Sequence, residues 1–277
     1  KILLLNGKKG LGKFTLVNHL MNYIFAKKEY DLNCQEINNK SIIYNQIING
    51  LFENVSFINN ESNNKIKIDD VRALKSKLFK SSLNEDPHFF IFNDIDLLSV
   101  NSANALLKII EEPSHKNYFI LIDNKQKKVI DTISSRCLTT NIFIDQSENF
   151  KIIESLISLH NLEEHIEYKK SDLTPGNFIV YNTICNDNLI TYDLDYITKI
   201  DKLLKLYKKT KNINYINVSI FFTDQYYYKL SLERSSKILL LNELKIGTIR
   251  NINNFVAFNL NLNSVLNSIN RYFNYAK

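Results

Sequence analysis

Short apolar runs punctuate the first half of this chain, each followed by polar residues and then by positions spaced for a helix. Ile2 to Leu5, Val55 to Ile58, His88 to Phe92 and Tyr118 to Ile122 have the length of strands, and His88 to Phe92 reads as a strand buried on both faces of a parallel sheet. Between them, Phe14 to Phe25 is helical, and an acidic cap at Asp69 or Asp70 precedes Val71, Leu74 and Leu78 at helical spacing. Ser102 to Glu112 is a further helix, stopped at Pro113. A basic helix carrying Lys125, Lys127 and Lys128 is expected after Ile122. Strands alternating with helices over residues 1–145 predict a doubly wound α/β domain with its ligands at the carboxyl ends of the strands.

Beyond Phe143 the pattern becomes helical throughout. Residues 146–193 read as a small helical lid, interrupted by Thr174, Pro175 and Gly176. Residues 194–277 read as a third, all-α domain in which Ile200, Leu203, Leu204 and Tyr207 share one helical face. Lys199, Lys202, Lys205 and Lys209 fall on other faces, the usual pattern of a solvated surface.

Composition adds little. The chain has 277 residues, 44% of them hydrophobic, and a formal net charge of +6, which permits contact with nucleic acid without requiring it. No apolar run exceeds about five residues, far short of a membrane span. Cys34, Cys137 and Cys185 are too far apart for a C-x-x-C pair, so neither a metal site nor a disulfide framework is expected and a cytoplasmic location fits. Because Lys1 opens directly into a strand, with no Met before it, a missing N-terminal segment is also expected.

The chemistry concentrates in the first loop. Gly7, Gly10, Gly12 and Lys13 match a phosphate-binding loop, in which backbone N–H groups cradle phosphates and the lysine reaches their outer oxygens. The next position, a Mg²⁺-binding Ser or Thr in the intact motif, is Phe14. Thr15 is one residue on and about 100° around the helix, placed for an α-phosphate at best. Lys13 is therefore either a residual phosphate ligand or a solvated relic.

The order of Gly7 to Lys13, Ile68 to Leu74, Asn104 to Lys108 with Glu111, Glu112 and Pro113, and finally Ser135, Arg136 and Cys137 resembles bacterial DNA polymerase III clamp-loader subunits, most of all the delta-prime type. The resemblance covers residues 1 to about 180. It implies an AAA+ P-loop NTPase-like parallel-sheet domain, a helical lid and a helical collar, assembled with tau/gamma and delta subunits into a five-membered ring. Such a ring opens a sliding clamp and closes it around primed DNA, and Arg136 would reach as an arginine finger toward ATP bound by a neighbour.

Measured against that family, the chain's own nucleotide site is degenerate. Asn93 and Asp94 stand where an Asp and Glu pair holds Mg²⁺ and polarises water, and Asn177 follows Pro175 and Gly176 where active relatives carry an arginine. The expectation is a subunit without ATPase activity of its own, needing no cofactor, with residual ATP or ADP binding left open. No metal is expected either, since Cys34 is the only cysteine where relatives insert a four-cysteine zinc module. The alternatives are an ATP-hydrolysing motor subunit of tau/gamma type and a stand-alone P-loop nucleotide enzyme.

Overall fold

The computed structural model describes residues 1–58, 71, 86–111 and 116–276, and the chain divides into two compact units. Unit 1 comprises residues 1–149 with 174–176; unit 2 comprises 150–173 and 177–277.

Unit 1 is built on five parallel strands: β1 (Ile2–Asn6), β2 (Val55–Ile58), β3 (His88–Phe92), β4 (Asn117–Asp123) and β5 (Leu138–Asn141), in the order β2-β3-β4-β1-β5. Register places Leu4 opposite Leu121, Phe90 opposite Phe119 and Phe92 opposite Leu121. Side chains alternate across the pleat, so Leu4, Phe90, Phe92, Phe119 and Leu121 pack on one face with α3 (Val100–Ile110). Leu5, Phe89, Ile91, Ile120 and Ile122 pack on the other, against Val17 and Met21 of α1 (Lys13–Phe25) and Ile47 of α2 (Ile42–Ile48). Burial on both faces is why these strands read as unbroken apolar runs.

Three features depart from the sequence reading. Helix α2 lies in the Asn-rich stretch after α1, where no element was expected. Strand β5 is exposed at every residue, so Leu138, Thr139, Thr140 and Asn141 carry no apolar signal. The basic helix after Ile122 does not form: residues 124–130 are a loop, and only the four-residue α4 (Asp131–Ser134) precedes Arg136. The predicted helix around 68–78 lies outside the described residues apart from Val71, which is helical and fully buried; Glu112 and Pro113 lie outside them too.

Unit 2 is all-α: α5 (Gln146–His160, its first four residues in unit 1), α6 (Pro175–Asp187, its first two residues in unit 1), α7 (Tyr196–Thr210), α8 (Asn214–Glu233), α9 (Ile238–Ala257) and α10 (Leu262–Ala276). Ile200, Leu203, Leu204 and Tyr207 are all buried on α7. Ile153, Phe178 and Cys185, from the stretch read as a lid, share one apolar cluster with Leu203 and Val218, from the stretch read as a separate domain. Among the described residues no helix is long and apolar enough to cross a membrane.

Candidate functional site

The first loop is held by its own backbone. Gly12 caps α1 at φ 79° and Gly10 sits at φ 85°, left-handed conformations that side chains resist. Lys13 is buried at the start of α1 and donates from Nζ to the carbonyl oxygens of Gly7 (2.7 Å) and Lys8 (2.6 Å). Burial pulls its pKa down to about 8, with the fields of Asp123, Asp96 and Asp94 opposing the fall. Two of the ammonium's three donors are thereby spent on the loop itself.

Phe14 is packed, not poised. Its ring lies 5.3 Å from that of Phe57 and joins the apolar cluster around Val17 and Met21, so the position reserved for a metal-binding hydroxyl has become part of the core. Thr15 is exposed on α1. Across the loop, Thr174 Oγ1 donates to Lys9 O at 2.7 Å and the Gly176 N–H donates to Gly10 O at 2.9 Å. The backbones touch there: a Cβ on Gly176 would stand 2.8 Å from Gly10 Cα. Asn177, uncharged, follows in the first turn of α6.

At the carboxyl ends of β3 and β4 the acidic groups serve as structural acceptors. Asn93 directly follows β3, and Asp94 adopts a left-handed conformation at φ 57°. Asp94 Oδ1 accepts from Asn124 Nδ2 (2.7 Å) and Gln126 Nε2 (3.0 Å). Buried Asp96 accepts three backbone N–H groups, from Asn124 (3.2 Å), Gln126 (2.8 Å) and Lys127 (3.3 Å). Asp123 Oδ1 takes a fourth, from Lys125, and burial raises its pKa.

This capture of amides explains the missing basic helix. Backbone donors bound to carboxylates are not free to build an i to i−4 ladder, and Lys125 turns the chain at φ 54°. Lys125, Lys127 and Lys128 instead line an open cleft of about 440 Å³ with Asn6 and Thr139, and Lys128 pairs with Asp131 at 2.9 Å on the surface.

Arg136 follows α4. Its Nη1 donates to Thr132 O at 2.9 Å and its Nη2 pairs with Glu111 Oε1 at 3.0 Å, the two side chains being 41% and 48% exposed. An ion pair this wet holds its partners by about 1 kcal/mol or less, so a stronger anion can draw the guanidinium away. The structure thus brings Gly7, Gly10, Gly12 and Lys13 together with Thr174 and Gly176, sets Asp94 on Asn124, and leaves Arg136 with Thr132 and Glu111.

Sequence reasoning missed Asp96, Thr174 and Glu111 as anchors. Only Asp96 left a visible signal, the acidic alternation of Asp94 and Asp96 directly after an apolar strand. A magnesium triphosphate needs a lysine free to reach it and an oxygen ligand for its metal. Among the described residues Lys13 is folded onto its own loop, Phe14 offers no oxygen, and one Asp94 oxygen is already taken, so the usual magnesium-binding donors are not in place.

A family model described as DNA polymerase III, delta subunit, matches residues 1–145. The chain is 29% identical over 143 residues to DNA polymerase III subunit delta' of Buchnera aphidicola subsp. Schizaphis graminum (strain Sg), covering 49% of this chain and 40% of that protein. It is 28% identical over 166 residues to subunit gamma of Buchnera aphidicola subsp. Acyrthosiphon pisum (strain APS), covering 58% of this chain and 43% of that protein. The matched part therefore spans less than half the length of these relatives. Among solved structures, a DNA polymerase III gamma subunit-related protein of Thermotoga maritima superposes with a TM-score of 0.50 at 16% identity, covering 100% of this chain and 95% of that one. At that identity the likeness is one of fold.

Proposed function

This chain belongs to the DNA polymerase III delta-subunit family, as a clamp-loader protein of delta-prime type, and from that premise we propose that it is a non-hydrolysing subunit of the loader. It serves as a scaffold beside tau/gamma and delta subunits in a heteropentamer that loads the sliding clamp onto primed DNA in the cytoplasm. Residues 1–145, 146–193 and 194–277 act in it as AAA+ domain, lid and collar. Arg136 is its catalytic contribution, given in trans to ATP held by a neighbour.

The observation that carries this reading is Phe14. A phenylalanine ring packed on the core at the metal position removes the hydroxyl ligand that the intact loop supplies. Lys13, Asp94 and Asn177 add to it, since each lacks the freedom or the charge that hydrolysis asks of it. Arg136, by contrast, is exposed and weakly held. An arginine supplied in trans contributes about 10³ to 10⁵ to phosphoryl-transfer rate, so a subunit serves catalysis without turning over nucleotide itself. It needs no cofactor for that role; ATP or ADP held without turnover at Gly7, Gly10, Gly12, Lys13 and Thr15 is compatible with it.

The similarity to a gamma subunit favours a rival reading, an ATP-hydrolysing motor. That reading must find a metal ligand other than position 14 and a water-activating carboxylate other than Asp94. Reconstitution decides: a loader carrying Arg136→Ala should assemble normally and lose more than half of its clamp- and DNA-stimulated ATPase. Normal turnover in that assembly would remove Arg136 from catalysis.

A further inference from the structure

Unit 2 contains a half-open pocket of about 220 Å³, formed by the turn at 165–167, the turn at 192–194 and the facing sides of α7 and α8. Its wall is aromatic. Tyr196 and Tyr226 stack with ring centroids 4.4 Å apart and planes 9° apart, and Phe222 stands beside them with the Lys199 ammonium 5.0 Å above its ring.

Lys199 gives the pocket its chemistry. It is half-buried, and among the described residues its ammonium makes one hydrogen bond, a long one to Tyr192 O at 3.4 Å. Desolvation lowers its pKa, with the charge of Lys229 adding to the fall, against the opposing fields of Cys185, Asp193 and Asp195. The other lining lysine is already satisfied: Lys229 lies 3.3 Å from Glu167, which Lys170 also approaches at 3.7 Å. A half-buried ammonium with two donors unfilled has most to gain from an incoming anion, because burying a cation without a partner is costly.

Size narrows the class. A dry cavity of about 150 Å³ holds a benzene molecule, while drug-sized ligands occupy roughly 300 to 1,000 Å³. At 220 Å³ the pocket has room for one six-membered ring and one acid group, and too little for a nucleotide. We propose that this pocket binds an aryl carboxylate, its ring against Tyr226 and Phe222 and its carboxylate on the Lys199 ammonium. A free aromatic acid and the carboxyl-terminal aromatic residue of a partner chain present that same chemistry. The assignment is independent of the clamp-loader reading.

Nuclear magnetic resonance titration of the full chain tests it with benzoate, benzyl alcohol, N-acetyl-L-phenylalanine and N-acetyl-L-phenylalaninamide. Benzoate is expected to saturate with a Kd on the order of 1 mM and to shift the Lys199 side-chain signals, while benzyl alcohol, ring without charge, fails to saturate. Lys199→Gln should weaken benzoate at least tenfold and Lys229→Gln less than threefold. N-acetyl-L-phenylalanine binding tighter than benzoate, with its amide inactive, identifies a chain terminus as the source; the reverse order identifies a free acid. No saturation by either acid below about 10 mM, equal binding of benzyl alcohol, or equal weakening in the two lysine variants overturns the proposal. The benzoate and benzyl alcohol comparison needs no variant, so it stands even if Lys199→Gln fails to fold.

Discussion

Replacing Gly176 with alanine tests the contact that closes the phosphate loop. Inside a helix, Gly→Ala ordinarily stabilises by up to about 1 kcal/mol, because glycine loses more backbone freedom on folding. Here the added methyl would stand 2.8 Å from Gly10 Cα and 3.0 Å from Gly10 O, and neither atom is the movable end of a side chain. The backbones must separate, which breaks the Gly176 N–H to Gly10 O bond and loosens the Thr174 to Lys9 bond. Two hydrogen bonds at about 1 kcal/mol each outweigh the helical gain, leaving a local loss of about 1 to 2 kcal/mol. Amide hydrogen exchange is the suitable assay, since it reads this contact locally within a chain of two compact units. The Gly176 amide should exchange roughly 5- to 30-fold faster relative to the intrinsic rate at position 176 in Gly176→Ala than in the parent. Equal or greater protection in the variant, with a raised thermal midpoint, would show that helix propensity governs this position and that the contact contributes nothing.

Three further predictions follow from the same geometry. Phe14→Thr returns a hydroxyl but removes a half-buried ring, so it should destabilise unit 1 by about 2 kcal/mol in denaturant titration and still show no ATP turnover; a gain of turnover would mean that position 14 alone blocks hydrolysis. For Lys13, the native pKa of about 8 lies below the ordinary lysine value of 10.5. The unfolded chain then holds the extra proton between those values, so this group makes stability rise with pH across that window. Lys13→Met should lower the slope of stability against pH between 8 and 10 relative to the parent, whatever the opposing contributions of Cys137, pushed up to about 11, and Cys185, pushed up to about 12, which both proteins share; an identical pH profile in the variant contradicts the buried-ammonium account. A double-mutant cycle on Arg136→Ala and Glu111→Ala should give a coupling below about 1 kcal/mol, as exposed pairs do. A coupling well above 2 kcal/mol would make Arg136 a structural residue.

The α/β unit was legible because both faces of its sheet are buried. Leu4, Phe90, Phe92 and Leu121 on one side, and Leu5, Phe89, Ile91 and Ile122 on the other, leave continuous apolar runs that fix strands without any knowledge of neighbours. Strand β5 pairs with β1 along the edge with every residue exposed, held by backbone pairing and by the Asn6 Nδ2 to Asn141 Oδ1 bond, neither of which an apolar pattern records. The loop after β4 failed for a related reason: its lysines suit a helix locally, but Asp96, 28 or more residues earlier, takes the amides a helix would use.

At the site, the residues that mark the phosphate loop were recognisable from type and spacing alone. What they do was not. The return of Lys13 onto Gly7 and Lys8, the packing of Phe14 on Phe57 and the docking of Thr174 and Gly176 are tertiary facts about backbone oxygens and ring faces. In unit 2 the period of α7 identified Ile200, Leu203, Leu204 and Tyr207 as core, while the aromatic pocket around Lys199 is assembled from α7, α8 and two turns and has no signature in any one of them.

On the function proposed above, this chain has given up hydrolysis of its own while keeping an arginine for a neighbour's. Magnesium-dependent ATP turnover by the purified chain, measured without other subunits, tests it most directly. The account predicts a rate indistinguishable from the uncatalysed background; sustained turnover that is abolished by chelating magnesium and by Lys13→Met would contradict it.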